Sequence, residues 1–195
     1  MAVDFLVIGL GNPGAQYART RHNVGFECIE RIARRKGVTL TTSKLKALVA
    51  TTSIGGASTV LALPTTFMNE SGQAGHLLTS WFKVDDPQRI IVVQDELDLD
   101  PGVVRIKNGG GLGGHNGLRS LTQHLSTQDY VRVRIGVGKP PSAARGADHV
   151  LKKVPPVERL VLDVAVEIAA DAVEKIIGHG VAAAMADINR RQLET

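Results

Sequence analysis

The chain has 195 residues, 43% of them apolar and 22% charged, with a formal net charge of +4, which fits one globular domain with a real core rather than a disordered or fibrous chain. No apolar run approaches the roughly 20 residues that span a bilayer, and the first residues hold Asp4 instead of the basic start of a signal peptide. A single cysteine, Cys28, excludes an internal disulfide and fits a reducing compartment, so we expect a cytoplasmic protein with no membrane attachment.

The first predicted strand, Phe5–Leu10, empties into Gly9-Leu10-Gly11-Asn12-Pro13-Gly14. Thr20-Arg21-His22-Asn23 follows, before helical spacing resumes over Val24–Lys36 with Phe26, Ile29 and Ala33 on one face. Strands are predicted at Ala47–Thr52 and Thr59–Leu63, with Gly55-Gly56 as a hairpin turn between them. A helix is predicted over Ser71–Phe82, then strands at Ile90–Gln94 and Val103–Lys107, a helix over Leu118–Leu125 and a strand at Val131–Val137. The loop Gly138–Gly146, within a segment of about 138–153, is the expected mobile flap. In the long helix Val157–Ile177, residues Val157, Leu160, Val161, Val164, Ile168, Ala172 and Ile176 read as one apolar stripe, opened by Pro156 and closed by Gly178. A final helix is expected over Val181–Arg190. Strands alternating with helices argue for a single-domain, three-layer α/β/α sandwich around a mixed, mostly parallel twisted sheet.

Four polar islands follow predicted strands, where α/β proteins place their sites. Gly9 to Gly14 matches the spacing of a dinucleotide fingerprint. The match fails in context, because Pro13-Gly14 turns the chain where a helix should open, and no acid ends the next strand. His22 precedes a helix, and a helix N-terminus biases an imidazole toward the neutral form that a general base needs. The run Asp95–Asp100 packs four carboxylates into six residues, and one of them could orient His22. The same run permits a metal site, but no histidine lies near it in sequence. Asn69 in Pro64–Gly72 could cap the next helix or donate an amide to a substrate carbonyl. Phe67 and Met68 beside it could be core or the floor of a pocket. Gly109–Gly117 holds six glycines in nine residues with His115-Asn116 among them, which suits close approach of a ligand to backbone better than a plain linker. Cys28, inside an amphipathic helix, reads as packed. The positive charge permits a polyanionic partner. The seven aromatic residues are too few and too scattered for a base-stacking platform, so contacts to any nucleic acid should be to backbone and shape.

Gly-Leu-Gly-Asn-Pro-Gly, Thr-Arg-His-Asn-Val-Gly-Phe, Pro-Thr-Thr-Phe-Met-Asn-Glu-Ser-Gly, Asp-Glu-Leu-Asp-Leu, Gly-Gly-His-Asn-Gly-Leu and Arg132–Gly138 occur here in that order. Together they resemble bacterial peptidyl-tRNA hydrolase from about Leu6 to Gly138. Gln94 stands where that family usually has histidine, and Asp100 where it often has proline. The resemblance implies hydrolysis of the ester between a peptide and the 3′ ribose of tRNA, by a monomer with no cofactor, no metal and no obligate protein partner. It implies His22 as general base, Asp95 as its orienting carboxylate and Asn12 as a further catalytic amide. Tyr17, Phe67, Met68, Asn69 and Asn116 become substrate-binding, and Arg105, Lys107 and Arg134 a grip on the tRNA phosphates. The readings from other classes are an RNA-binding module on this fold without activity, and a nucleotide-dependent oxidoreductase.

Overall fold

The computed structural model describes residues 2–142 and 145–190. Its strands are β1 (Phe5–Gly9), β2 (Thr41–Thr42), β3 (Ala47–Ile54), β4 (Ala57–Pro64), β5 (Ile90–Glu96), β6 (Val104–Asn108) and β7 (Val131–Gly136). They form one sheet in the order β2-β3-β4-β1-β5-β7-β6. Its helices are α1 (Val24–Arg35), α2 (Ser71–Phe82), α3 (Asn116–Leu125), α4 (Gly146–Leu151), α5 (Pro156–His179) and α6 (Val181–Ile188). The central strands β4, β1, β5 and β7 pair in parallel, and β2, β3 and β6 join antiparallel at the edges. The β3–β4 hairpin turns at Gly55 and Gly56, both with positive φ, as a two-residue turn of matching twist requires.

The central strands are apolar on both faces, as parallel strands covered on each side must be. Val7, Ile91, Val93 and Val133 pack under α1, α5 and α6, and Leu6, Ile8, Val92 and Tyr130 pack under α2 and α3. From β1 the chain passes through α1 and the hairpin to β4 on one side. It then passes through α2 to β5 on the other. The sheet therefore has its topological switch point at the C-terminal end of β1, where open α/β sheets form their crevice. Gly25 lets α1 dock into that crevice: a Cβ there would lie 2.5 Å from the carbonyl oxygens of Leu10 and Val93. The residues just upstream of α1, His22 among them, are thereby laid over the end of β5.

The structure reproduces the expected three layers and corrects the reading in places. The short edge strand β2 and the helix α4 were not expected. α4 lies inside the expected 138–153 flap, of which residues 143 and 144 lie outside the described residues. The stripe assigned to the long helix is wrong in its first half: Val157 is 80% exposed and Leu160 69%, and Val161 and Val164 also face outward. Leu162, Ala165, Val166, Ala169, Val173 and Ile176 face the core instead. Ion pairs set this rotation. Buried Arg159 turns inward to Glu27 of α1, at 2.8 and 3.1 Å, and Glu158 takes both arms of Arg21, at 2.7 and 2.8 Å. A buried charge without a partner costs far more than an exposed valine gains by burial, so the pairs decide which side faces in.

Candidate active site

Three of the parallel strands, β1, β4 and β5, deliver polar groups to the crevice. Asn12 follows β1, Met68 and Asn69 follow β4, and Asp95 is the sixth residue of β5. His22 comes from the single turn before α1, and His115 and Asn116 from the start of α3. These residues line a cavity of about 420 Å³, closed on one side by Leu97 and by Ala147, Val150 and Leu151 of α4. That size and its mixture of apolar wall and convergent polar groups suit a ligand site.

His22 Nδ1 donates to Asp95, 2.9 Å from Oδ1 and 2.8 Å from Oδ2. The expected pairing of His22 with Asp95 is therefore present. Burial pushes the imidazole down, but the Asp95 charge and hydrogen bond outweigh it and hold its pKa above the ordinary 6.5. Burial alone would raise the Asp95 carboxyl, which is 2% exposed; the two imidazoles beside it prevail and hold it well below the usual carboxylate range. With Nδ1 committed to Asp95, Nε2 of His22 is the nitrogen left for chemistry.

The sequence reads the second imidazole, His115, as part of a ligand loop but gives it no role of its own. His115 Nε2 donates to Asp95 Oδ1 at 2.8 Å. Its Nδ1 accepts from the backbone N–H groups of Gly117 at 3.1 Å and Leu118 at 3.3 Å, so the ring caps α3. Both hydrogen bonds to Nδ1 come from amides, which fixes the ring proton on Nε2. Histidine is not among the usual N-cap residues, and the glycines around it suggested a ligand loop rather than a helix start. By distance alone His22, Asp95 and His115 could grip a cation, their ligand atoms lying within 4.8 Å of one another. The hydrogen bonds weigh against it. A metal-bound imidazole hands its other N–H to an acceptor, whereas the other nitrogen of His115 faces two donors.

Asn12 is buried and fully engaged on one side: its Oδ1 accepts from the Met68 N–H at 2.7 Å. Asn23, to which the sequence assigns no role, clamps its main chain through two hydrogen bonds of 2.9 Å. Asn23 directly precedes α1, yet its side chain does not cap that helix. The Nδ2 group is what the Asn12 amide has left to offer a ligand. Asn69 lines the cavity and does not cap α2, which opens without a side-chain cap, so that plainer alternative falls away. Asn116 lines the cavity with its Oδ1 taken by Arg119 at 3.3 Å. Met68 is buried in the cavity wall, whereas Phe67 is exposed and meets Tyr17 edge-on, 6.4 Å between centroids, apart from the cavity lining. Gln94 is buried beside Asp95 but touches its carbonyl, at 3.2 Å, rather than its carboxylate. Cys28 is buried, its thiol pushed far up by burial, and takes no part.

Arg105, Lys107 and Arg134 come together on one face of the β6–β7 edge. Arg105 lies opposite Arg134 in register, and Lys107 opposite Arg132. Arg134 approaches Glu96 at 3.6 Å. The dinucleotide reading fails in space too, since the glycine turn after β1 leads into one 3-10 turn at Ala15–Tyr17.

The peptidyl-tRNA hydrolase family model matches residues 6–195. A peptidyl-tRNA hydrolase of Rhodococcus opacus is 49% identical over 180 residues, covering 92% of this chain and 94% of that protein. One from Cutibacterium acnes is 45% identical over 97% of this chain and all of that protein. The crystal structure of peptidyl-tRNA hydrolase from Acinetobacter baumannii superposes with a TM-score of 0.91 at 40% identity, covering 97% of each chain. On the match over nearly its whole length and the fold it shares, the chain belongs to the peptidyl-tRNA hydrolase family.

Proposed function

We propose that this chain hydrolyses the ester joining the C-terminus of a peptide to the 3′ ribose of tRNA, and so returns tRNA from peptidyl-tRNA released early in translation. The observation that carries the mechanism is the hydrogen-bonded chain His22–Asp95–His115 around a buried carboxylate, which leaves Nε2 of His22 as the imidazole nitrogen for chemistry at a cavity lined by His22, Asn12, Asn69 and Asn116. His22 Nε2 takes a proton from water as the oxygen attacks the ester carbonyl. Asp95 fixes the tautomer and supports the imidazolium that forms. The carboxamides hold the peptide main chain and donate to the oxygen that becomes negative, and losing one such donor costs about 10²–10³ in rate. The imidazolium then protonates the departing 3′ oxygen. An ester is already an activated acyl group, so the sequence of steps is complete without a covalent enzyme intermediate or a metal. His115 completes the set by sharing Asp95 with His22.

Tyr17 and Phe67, paired outside the cavity, are assigned to the part of the substrate that extends from it. Arg105, Lys107 and Arg134 are assigned to phosphates of the acceptor end, whose attraction is long-ranged and weakened by salt. We read the enzyme as a cytoplasmic monomer; among the described residues no helix is long and apolar enough to cross a membrane. The test is incubation with N-acetyl-aminoacyl-tRNA beside unblocked aminoacyl-tRNA. Release from the blocked substrate alone is expected. Binding of tRNA with no release from either substrate would favour the RNA-binding reading instead.

A further inference from the structure

Alternate residues of β7 point to opposite faces of the sheet. Val131, Val133 and Ile135 enter the core under α1 and α5, so Arg132 enters the other side, beneath the glycine-rich segment before α3. It is 1% exposed, the largest of the fully buried side chains. Its partners are backbone carbonyls rather than a carboxylate. Nη1 donates to Gly111 O at 2.6 Å, and Nη2 to Gly110 O at 2.6 Å and Gln128 O at 3.2 Å, with the guanidinium 5.0 Å from the Tyr130 ring centroid. Burying a charge on neutral acceptors is expensive, so the arrangement has to fix something that cheaper residues would not.

What it fixes is the segment that delivers two site residues. Gly109, Gly110, Gly113 and Gly114 all have positive φ, and the run holds only one side chain larger than hydrogen, Leu112, between Asn108 and His115. Such a segment has the greatest conformational freedom of any and little side-chain packing of its own. Gln128 lies just beyond the other end of α3, so a single guanidinium ties together the segments entering and leaving that helix. The first turn of α3 carries His115, bonded to Asp95, and Asn116 at the cavity.

We infer that Arg132 is a positioning residue for the hydrolysis: it anchors the glycine segment so that His115 meets Asp95 and Asn116 faces the substrate, without touching the substrate itself. This rests on the roles given above to His115 and Asn116. A planar fork with two arms is what the geometry uses, so lysine should not replace it.

The test uses Arg132→Lys, which keeps the charge, and Arg132→Met, which keeps the bulk. Each is assayed on full N-acetyl-aminoacyl-tRNA and on the same ester of a CCA trinucleotide, with amide exchange followed by NMR. Displacing catalytic groups by about 1 Å costs on the order of 10². The expected result is a fall in kcat of about tenfold or more on both substrates, with KM for the tRNA ester within about twofold of wild type. The amides of Gly117 and Leu118, held by His115, should exchange faster while those of β5 keep their protection. Methylguanidinium added to Arg132→Ala should restore part of the rate. Should Arg132→Met fail to fold, Arg132→Lys decides alone. A folded variant with kcat within about twofold of wild type, or a loss confined to KM, would overturn the inference. His115→Leu, measured alongside, separates the two claims. Wild-type turnover in that variant removes the assigned role of His115. A slow His115→Leu beside a fast Arg132→Lys overturns the anchoring role alone.

Discussion

The strand-end crevice and the basic face of β6 and β7 are both polar regions on one sheet, but they are built differently. In the crevice, one buried carboxylate receives two imidazoles, one of which also caps a helix, and the amide of Asn12 is locked on its oxygen side. On the basic face, Arg105, Lys107 and Arg134 stand side by side on neighbouring strands, half-buried, and Arg134 approaches Glu96 loosely at 3.6 Å. The first region is preorganised and insensitive to salt, so it can lower a barrier. The second is adaptable and screened, so it can add affinity and rate of encounter but not chemistry.

That contrast can be broken by substitutions. The largest effect belongs to His22→Ala, expected to lower kcat by about 10²–10⁴ on any ester substrate while leaving the fold intact, as checked by single-turnover release and circular dichroism. Near-normal turnover would remove the crevice from the mechanism. Asp95→Asn comes next, with kcat down by about 10² or more. Its pH profile carries the sign. In the wild type the carboxylate holds His22 above 6.5, so activity should rise with pH through a value above 6.5 as the ring becomes neutral. Without the charge, burial pushes the ring down, and the rising limb should move to lower pH. Removing the His115 hydrogen bond to a charged acceptor in His115→Leu is worth about 1.5–3 kcal/mol, roughly tenfold to a hundredfold in kcat. The smallest change in kcat is expected for Lys107→Ala and Arg134→Ala. These should raise KM for full tRNA substrates, lower the slope of log affinity against log salt by about 1 each, and leave a CCA ester little affected. Equal losses on both substrates would merge the two regions into one.

The same contrast decides what was legible in the sequence. Strand runs such as Ile90–Val93 and the turn at Gly55-Gly56 are local patterns, and the structure places them as read. The pairing of His22 with Asp95 joins residues far apart in the chain, and the ordered motifs of a family supplied it where periodicity could not. His115 stood out among its glycines, but its two tasks, capping α3 and holding Asp95, exist only once β5 and α3 are packed. Asn23 stayed hidden because its partner is the main chain of Asn12. The apolar stripe of α5 misled over Val157–Val164 because hydrophobic spacing ignores the ion pairs of Arg159 and Arg21, which turned that half of the helix around.

The claim on which the rest depends is that His22 is a base made available by a shared carboxylate. A pH titration of the histidine ring nitrogens by ¹⁵N NMR, set beside kcat over the same range, tests it most directly. The account predicts that His22 titrates above 6.5 together with the rising limb of kcat. A His22 midpoint below 6.5, or a rate that rises independently of that titration, would contradict it.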